Sequence, residues 1–284
     1  MLIAQVTDIH IGFDPGNADE YNMQRFKAVL RRMESGPNRP DLLLLTGDLT
    51  ENGDPASYER LAQALADCSF PVWPLAGNHD LREPLLAAFP AVSSDDGFVH
   101  YAIDLPGLRI LAIDTLEVGR HGGGFCEARA AWLSRELAAH PEVPTVIAMH
   151  HPPFESGIAW LDCDAREPWI ARFAEAIAGH RQVRSIMAGH LHRTIHTAWE
   201  GTALTVCAST APLVALDLNP VDPDQPDGRD MITDELPVYA LHRWDGTRLV
   251  THVESVGGHG VLARYDENLQ AVVRMIEAEH PRNA

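Results

Sequence analysis

Residues 42–48 read Leu42-Leu43-Leu44-Leu45-Thr46-Gly47-Asp48, an uninterrupted apolar run that ends on a glycine and a carboxylate. Four leucines without alternation describe a strand buried on both faces. Such a strand needs helices or a second sheet over it, so its neighbours decide the architecture. Upstream, Leu2–Thr7 is a short apolar run that stops at Asp8, and Tyr21–Met33 sets Met23, Phe26, Val29, Leu30 and Met33 on one helical face. Downstream, Pro55–Ala66 reads as a helix with Asp54 as N-cap, and Phe70–Leu75 as another strand.

The alternation continues. A hairpin is predicted over Val99–Ile103 and Arg109–Ile113 around Pro106-Gly107, then helix Glu127–Ala139, strand Thr145–Met149, helix Pro168–Ala178 and strand Val183–Ala188. This is an α/β pattern with a largely buried sheet or sheets. From Thr194 the character turns to β, with strands at Thr194–Trp199, Ala203–Cys207, Val238–Arg243 and Leu249–Glu254. The last pair is joined by an Asp245-Gly246 turn. Asn219–Pro237, rich in Pro and Asp, reads as an exposed loop, and residues 194–256 as a β extension of the second sheet. Val261–Glu279 carries Leu262, Tyr265, Leu269, Val272 and Ile276 at helical spacing. The predicted division is a catalytic domain over 1–256, with its motifs within 1–200, and a helical tail over 257–284.

The chain has 284 residues, 45% hydrophobic and 22% charged, with 22 Lys+Arg against 40 Asp+Glu, a net charge of −18. That is room for one large domain or two small ones, and the balance excludes a disordered or collagenous chain. The acidic surface argues against binding duplex nucleic acid or anionic membrane. Cys68, Cys126, Cys163 and Cys207 are far apart and read as small buried apolar residues rather than a disulfide framework. The opening residues have neither a basic nor an apolar targeting region, and no apolar run approaches the ~18 residues of a membrane span. Cytoplasm is the expected compartment.

The informative residues stand just past the strands. Asp8-Ile9-His10, Gly47-Asp48, Gly77-Asn78-His79-Asp80, His150-His151-Pro152-Pro153 and Gly189-His190-Leu191-His192 each begin at or just past a predicted strand end. Strand C-termini of an α/β sheet converge on one crevice, so these side chains can meet there. Imidazoles and carboxylates together suit Zn, Fe, Mn or Co rather than a soft thiolate site.

Taken in order, Asp-x-His, Gly-Asp, Gly-Asn-His-Asp, His and Gly-His-x-His resemble the calcineurin-like metallophosphoesterase superfamily, over roughly residues 1–200. Asp8-Ile9-His10 at the extreme N-terminus and His150-His151-Pro152-Pro153 look most like the bacterial branch of cyclic-nucleotide and glycerophosphodiester phosphodiesterases, with Leu241-His242-Arg243-Trp244-Asp245-Gly246 a weaker match. The resemblance implies a four-layer α/β/β/α sandwich of two mixed sheets with a dimetal site at the strand C-terminal edge. It implies one metal ion on Asp8, His10, Asp48 and His192, and a second on Asp48, Asn78, His150 and His190. Asp48 and a hydroxide would bridge them, ~3.5–4 Å apart. The hydroxide would attack phosphorus in line, and His79, not itself a ligand, would protonate the leaving oxygen. Asp80 would orient His79 or cap its turn. His151 is the alternative to His150 as ligand, although strand alternation sends the two side chains apart.

The expected activity is therefore hydrolysis of a small phosphodiester, a cyclic nucleotide such as cAMP or a glycerophosphodiester, by a homo-oligomer. The alternatives are a phosphomonoesterase or phosphoprotein phosphatase, with Arg82, Arg120 or Arg166 binding the extra phosphate charge, and a non-catalytic scaffold. Pocket walls are expected from loops Gly119–Phe125, Glu155–Arg166 and Asn219–Pro237. The remaining histidines (His100, His121, His140, His180, His196, His242, His252, His259, His280) read as surface or turn residues. Gly122-Gly123-Gly124 lacks the Lys-Ser/Thr ending of a phosphate loop.

Overall fold

A computed structural model describes residues 1–258 and 260–279. Its elements are β1 (Leu2–Val6), α1 (Tyr21–Ser35), β2 (Leu42–Thr46), α2 (Pro55–Leu65), β3 (Val72–Leu75), α3 (Arg82–Ala88), β4 (Tyr101–Leu105), β5 (Leu108–Ala112), α4 (Glu127–Ala139), β6 (Thr145–Ala148) and α5 (Pro168–Ile177). Next come β7 (Val183–Ala188), β8 (Ile195–Trp199), β9 (Thr202–Val206), β10 (Leu213–Val214), β11 (Ile232–Thr233), β12 (Val238–Trp244), β13 (Leu249–Ser255) and α6 (Glu267–Glu279).

Two mixed sheets face each other. The first runs β13-β12-β1-β2-β3 and the second β4-β5-β6-β7-β9-β8, with β10 and β11 paired apart from both. In the first, β1, β2 and β3 are parallel, while β12 and β13 are antiparallel additions. Alternation along the second sheet separates two cores. Ile110, Val146, Ala148 and Met187 join the first sheet and the apolar faces of α1 and α2. Leu111, Ile147 and Ile186 point the other way, onto Trp132 and Leu133 of α4 and Ile170 and Phe173 of α5. The order of layers is α1–α2, first sheet, second sheet, α4–α5: the four-layer sandwich. All five residues of β2 are buried, as its leucines require.

Local chemistry starts the elements where expected. Asp54 accepts the Ser57 N–H at 3.0 Å, and Pro55 takes the first turn of α2, where its missing N–H costs nothing. Five expectations are corrected. β8 and β9 extend the second sheet, but β12 and β13 join the first, beside β1. The loop 219–237 contains β11, and the tail helix starts at Glu267 rather than Val261. His100 and His242 are buried, and only Cys207 of the four cysteines is fully so. His259 and His280 lie outside the described residues.

Candidate metal centre

The strand ends do converge. Asp8 and His10 follow β1, Asp48 follows β2, Asn78 and His79 follow β3, His150 follows β6, and His190 and His192 follow β7. Five of these, Asp8, His10, Asp48, His190 and His192, hold φ between +48° and +73°. Left-handed backbone disfavours residues with a Cβ and persists where the surroundings dictate it. Only two other non-glycine residues among those described share it, Asp96 and Glu200. Gly47 has φ +94°, and a Cβ there would overlap the His150 ring, so no other residue fits the turn that delivers Asp48.

Asp48 sits centrally. Its Oδ2 is 3.3 Å from His150 Nε2 and 3.7 Å from His10 Nε2, and its Oδ1 accepts the His79 N–H at 2.9 Å. On one side, His10 Nε2 is 3.1 Å from His192 Nε2, which is 3.5 Å from Asp8 Oδ1. On the other, His150 Nε2 is 3.2 Å from Asn78 Oδ1. Donor atoms of Asp8, His10 and His192 lie within 4.8 Å of one another, as do those of Asp8, Asp48 and His150 and those of His150, His151 and His190.

Three imidazoles give Nδ1–H away from this centre. His10 donates to Glu51 Oε2 at 2.8 Å, His150 to the Thr46 carbonyl at 2.8 Å and His192 to the Pro212 carbonyl at 2.9 Å. Each Nε2 is thereby turned inward, the arrangement that orients metal-binding histidines. Between His10 and His192 only a proton or a cation can sit. The donor set of imidazole, carboxylate and amide oxygen fits hard to borderline ions. His151 spends both ring nitrogens elsewhere, on Thr115 Oγ1 at 2.8 Å and the His121 carbonyl at 3.2 Å, so His150 is the one facing the centre.

Charge at the centre is set by these neighbours. Burial disfavours a charged His150, but Asp48 and Asp8 outweigh it and raise the ring to about 9. Burial likewise opposes ionisation of Asp48, yet His150 and His10 hold its carboxyl well below the usual range. Burial holds His151 and His190 well below the ordinary histidine value.

His79 gives its Nδ1–H to the Glu51 carbonyl, 2.8 Å away, and lines the cavity beside His10 and Asp48. Asp80 does not hold that ring. Its buried carboxylate accepts N–H groups of Gly77 at 2.9 Å, Leu49 at 3.1 Å and Thr50 at 3.2 Å, and the Tyr58 hydroxyl at 2.7 Å. It stitches the Asp48 loop to the Asn78 loop. Glu51 is the residue that sequence reasoning missed. A ligand histidine calls for an outer acceptor, but nothing in the order of residues says which acid supplies it.

The centre floors a cavity of about 500 Å³ walled by Phe13, Tyr21, Trp160 and Ile232. His121, Trp160 and Ile232 come from the three loops expected to build the walls, and the segment 13–22 adds a fourth. Among the described residues, no Lys or Arg lines the cavity.

A model of the calcineurin-like phosphoesterase family matches residues 1–194. A probable glycerophosphodiester phosphodiesterase of Arcobacter nitrofigilis is 29% identical over 90% of this chain and 94% of its own. A probable cyclic nucleotide phosphodiesterase of Synechococcus is 36% identical over 74% and 81%. A dimetal phosphatase of Danio rerio shares the fold at TM-score 0.58 and 15% identity, covering 88% of this chain and 98% of its own. With the family model spanning more than half its length, the chain belongs to the calcineurin-like phosphoesterase family.

Proposed function

We propose that the protein is a binuclear metal-dependent phosphodiesterase acting on small phosphodiesters, with cyclic nucleotides and glycerophosphodiesters as the leading classes. The observation that carries the reading is the convergence of inward-facing Nε2 atoms on Asp8 and Asp48, beneath a cavity that no Lys or Arg lines among the described residues. Asp8, His10, Asp48 and His192 would hold one ion, and Asp48, Asn78, His150 and His190 the other. When bound, the pair supplies a hydroxide nucleophile near neutral pH and positive charge for the phosphoryl oxygens.

The chain's own residues do the rest. His79, held by the Glu51 carbonyl, presents its imidazole to the cavity as the proton donor to the leaving oxygen. The apolar wall excludes water around the organic part of the substrate. A dianionic monoester would want a further cation, but Arg82 is paired with Asp114, Arg120 with Glu167 and Arg166 with Asp164. That favours the diester over the monoester reading. The enzyme is read as cytoplasmic, in keeping with the absence of a helix long and apolar enough to cross a membrane among the described residues. It is also read as a homo-oligomer.

The test is a panel on metal-free protein reloaded with Mn²⁺: bis(p-nitrophenyl) phosphate, p-nitrophenyl phosphate, 2′,3′-cAMP, 3′,5′-cAMP and glycerophosphoethanolamine. Metal-dependent turnover of diesters over the monoester supports the proposal, and the ranking names the class. Faster monoester turnover establishes a phosphatase instead. Silence across the panel with both ions bound points to the scaffold.

A further inference from the structure

His242 of β12 lies between the two sheets, fully buried. Its Nε2 is 3.1 Å from Gln5 Oε1 and its Nδ1 2.9 Å from Thr251 Oγ1 on β13. The amide nitrogen of Gln5 is 2.9 Å from Thr46 Oγ1 and 2.9 Å from the Ala188 carbonyl. The direction of this chain of hydrogen bonds comes from counting donors. Ala188 can only accept, so the Gln5 amide gives its two hydrogens to Ala188 and Thr46. Its oxygen then faces His242, whose Nε2 must donate, and the Thr251 hydroxyl donates to Nδ1. This requires a neutral imidazole, and burial pushes His242 down to about 3.

Both hydrogens of the Gln5 amide nitrogen land where a candidate metal-ligand loop begins. Ala188 precedes Gly189-His190, and Thr46 precedes Gly47-Asp48. The Thr46 carbonyl is also the acceptor that turns His150 toward the centre. Gln5 itself is three residues before Asp8 on β1. A single buried side chain therefore ties β1 and β2 of the first sheet to β7 of the second, at the ends that launch Asp8, Asp48 and His190. Two sheets packed face to face can slide by fractions of an ångström at little cost in apolar contact. A directional hydrogen bond between them does not allow that.

We propose that Gln5 is a positioning residue that sets the spacing between the two halves of the metal centre, held in its rotamer by His242 and Thr251 of the C-terminal hairpin. The proposal rests on the metal-centre reading. It gives the Leu241–Gly246 segment a part in the site that its distance in sequence conceals.

The experiment titrates Mn²⁺ into metal-free wild type, Gln5→Met, His242→Leu and His242→Gln, reading free Mn²⁺ by electron paramagnetic resonance and folding by circular dichroism and thermal melting. Gln5→Met keeps length but has no amide, and is expected to melt cooperatively while binding Mn²⁺ about 10–100-fold more weakly. His242→Leu is expected to weaken binding in the same direction. His242→Gln, which keeps a donor for Gln5 and an acceptor for Thr251, is expected to restore affinity to within about threefold of wild type. A buried amide that served folding alone would lower the melting temperature and leave Mn²⁺ affinity unchanged. That result in Gln5→Met, or in His242→Leu should Gln5→Met fail to fold, overturns the proposal. Wild type that binds no Mn²⁺ overturns the metal reading itself, and the proposal with it.

Discussion

His10 and His192 face each other through Nε2 atoms 3.1 Å apart, although each has already given its Nδ1 proton away, to Glu51 and to the Pro212 carbonyl. Two rings so placed share one proton or one cation. Burial lowers both, but the hydrogen bond to Glu51 and the charges of Asp48 and Asp8 leave His10 raised, whereas His192 stays lowered. Of the two rings, His10 is the stronger base toward a shared proton.

Metal loading is therefore expected to expel protons. His150, raised to about 9, carries at pH 7 a proton on the nitrogen that an ion needs. Its pKa is raised above the unfolded value of 6.5, so its ion pair with Asp48 stabilises the metal-free fold fully below that value. The contribution is lost as pH rises through about 9. Mn²⁺ affinity should move the opposite way, rising with pH up to about 9 by as much as tenfold per unit from this group. Calorimetry at pH 7 in buffers of different ionisation enthalpy should show proton release on binding. Equal heats in all buffers would contradict it.

Glu51 offers a second check. Removing its carboxylate in Glu51→Ala frees His10 to rotate, and a ligand whose outer partner is lost typically costs 10–100-fold in metal affinity. Glu51→Gln keeps an acceptor oxygen and should retain more of it. Equilibrium dialysis against Mn²⁺ separates the two, and equal affinity in wild type and Glu51→Ala would remove Glu51 from the site.

Asp80 should behave as a clamp and not as a partner of His79. Asp80→Ala strands the Leu49, Thr50 and Gly77 N–H groups and the Tyr58 hydroxyl, a loss of about 2–3 kcal/mol. Denaturant unfolding measures it. Full stability with activity lost only toward poor leaving groups would return Asp80 to the orienting role.

The α/β half of the fold was legible because its signals are local. Leu42–Leu45 reads as a strand buried on both faces, and a candidate ligand at the ends of five strands, β1, β2, β3, β6 and β7, is an ordered pattern that packing does not produce. The pairing of β12 with β1, which carries the β12–β13 hairpin onto the first sheet, was not legible, since nothing near Val238 names a partner more than two hundred residues away. Helix α3, seven residues long, is too short to show a period. Glu51 and Gln5 escaped for the same reason as each other: an outer partner is chosen by distance in space, and nothing in the order of residues says what the lone polar side chain of β1 meets across the sheets.

The tail supplies an independent test of assembly. None of the described residues of α6 is buried, and Val272, Met275 and Ile276 leave apolar surface exposed. If the protein assembles through this helix, as the homo-oligomer reading requires, a chain ending at Val256 should run as a smaller species than the full chain in size-exclusion chromatography with light scattering. An unchanged oligomer would relieve the tail of that role.

The most direct test of the central claim tracks bound Mn²⁺ and bis(p-nitrophenyl) phosphate hydrolysis together, in wild type and Asn78→Ala. The account predicts that turnover appears only as occupancy approaches two ions per chain, and that Asn78→Ala loses about 10–100-fold in affinity for one of them together with its activity. Full turnover in chelator-treated protein, or wild-type turnover in Asn78→Ala with a single ion bound, would contradict it.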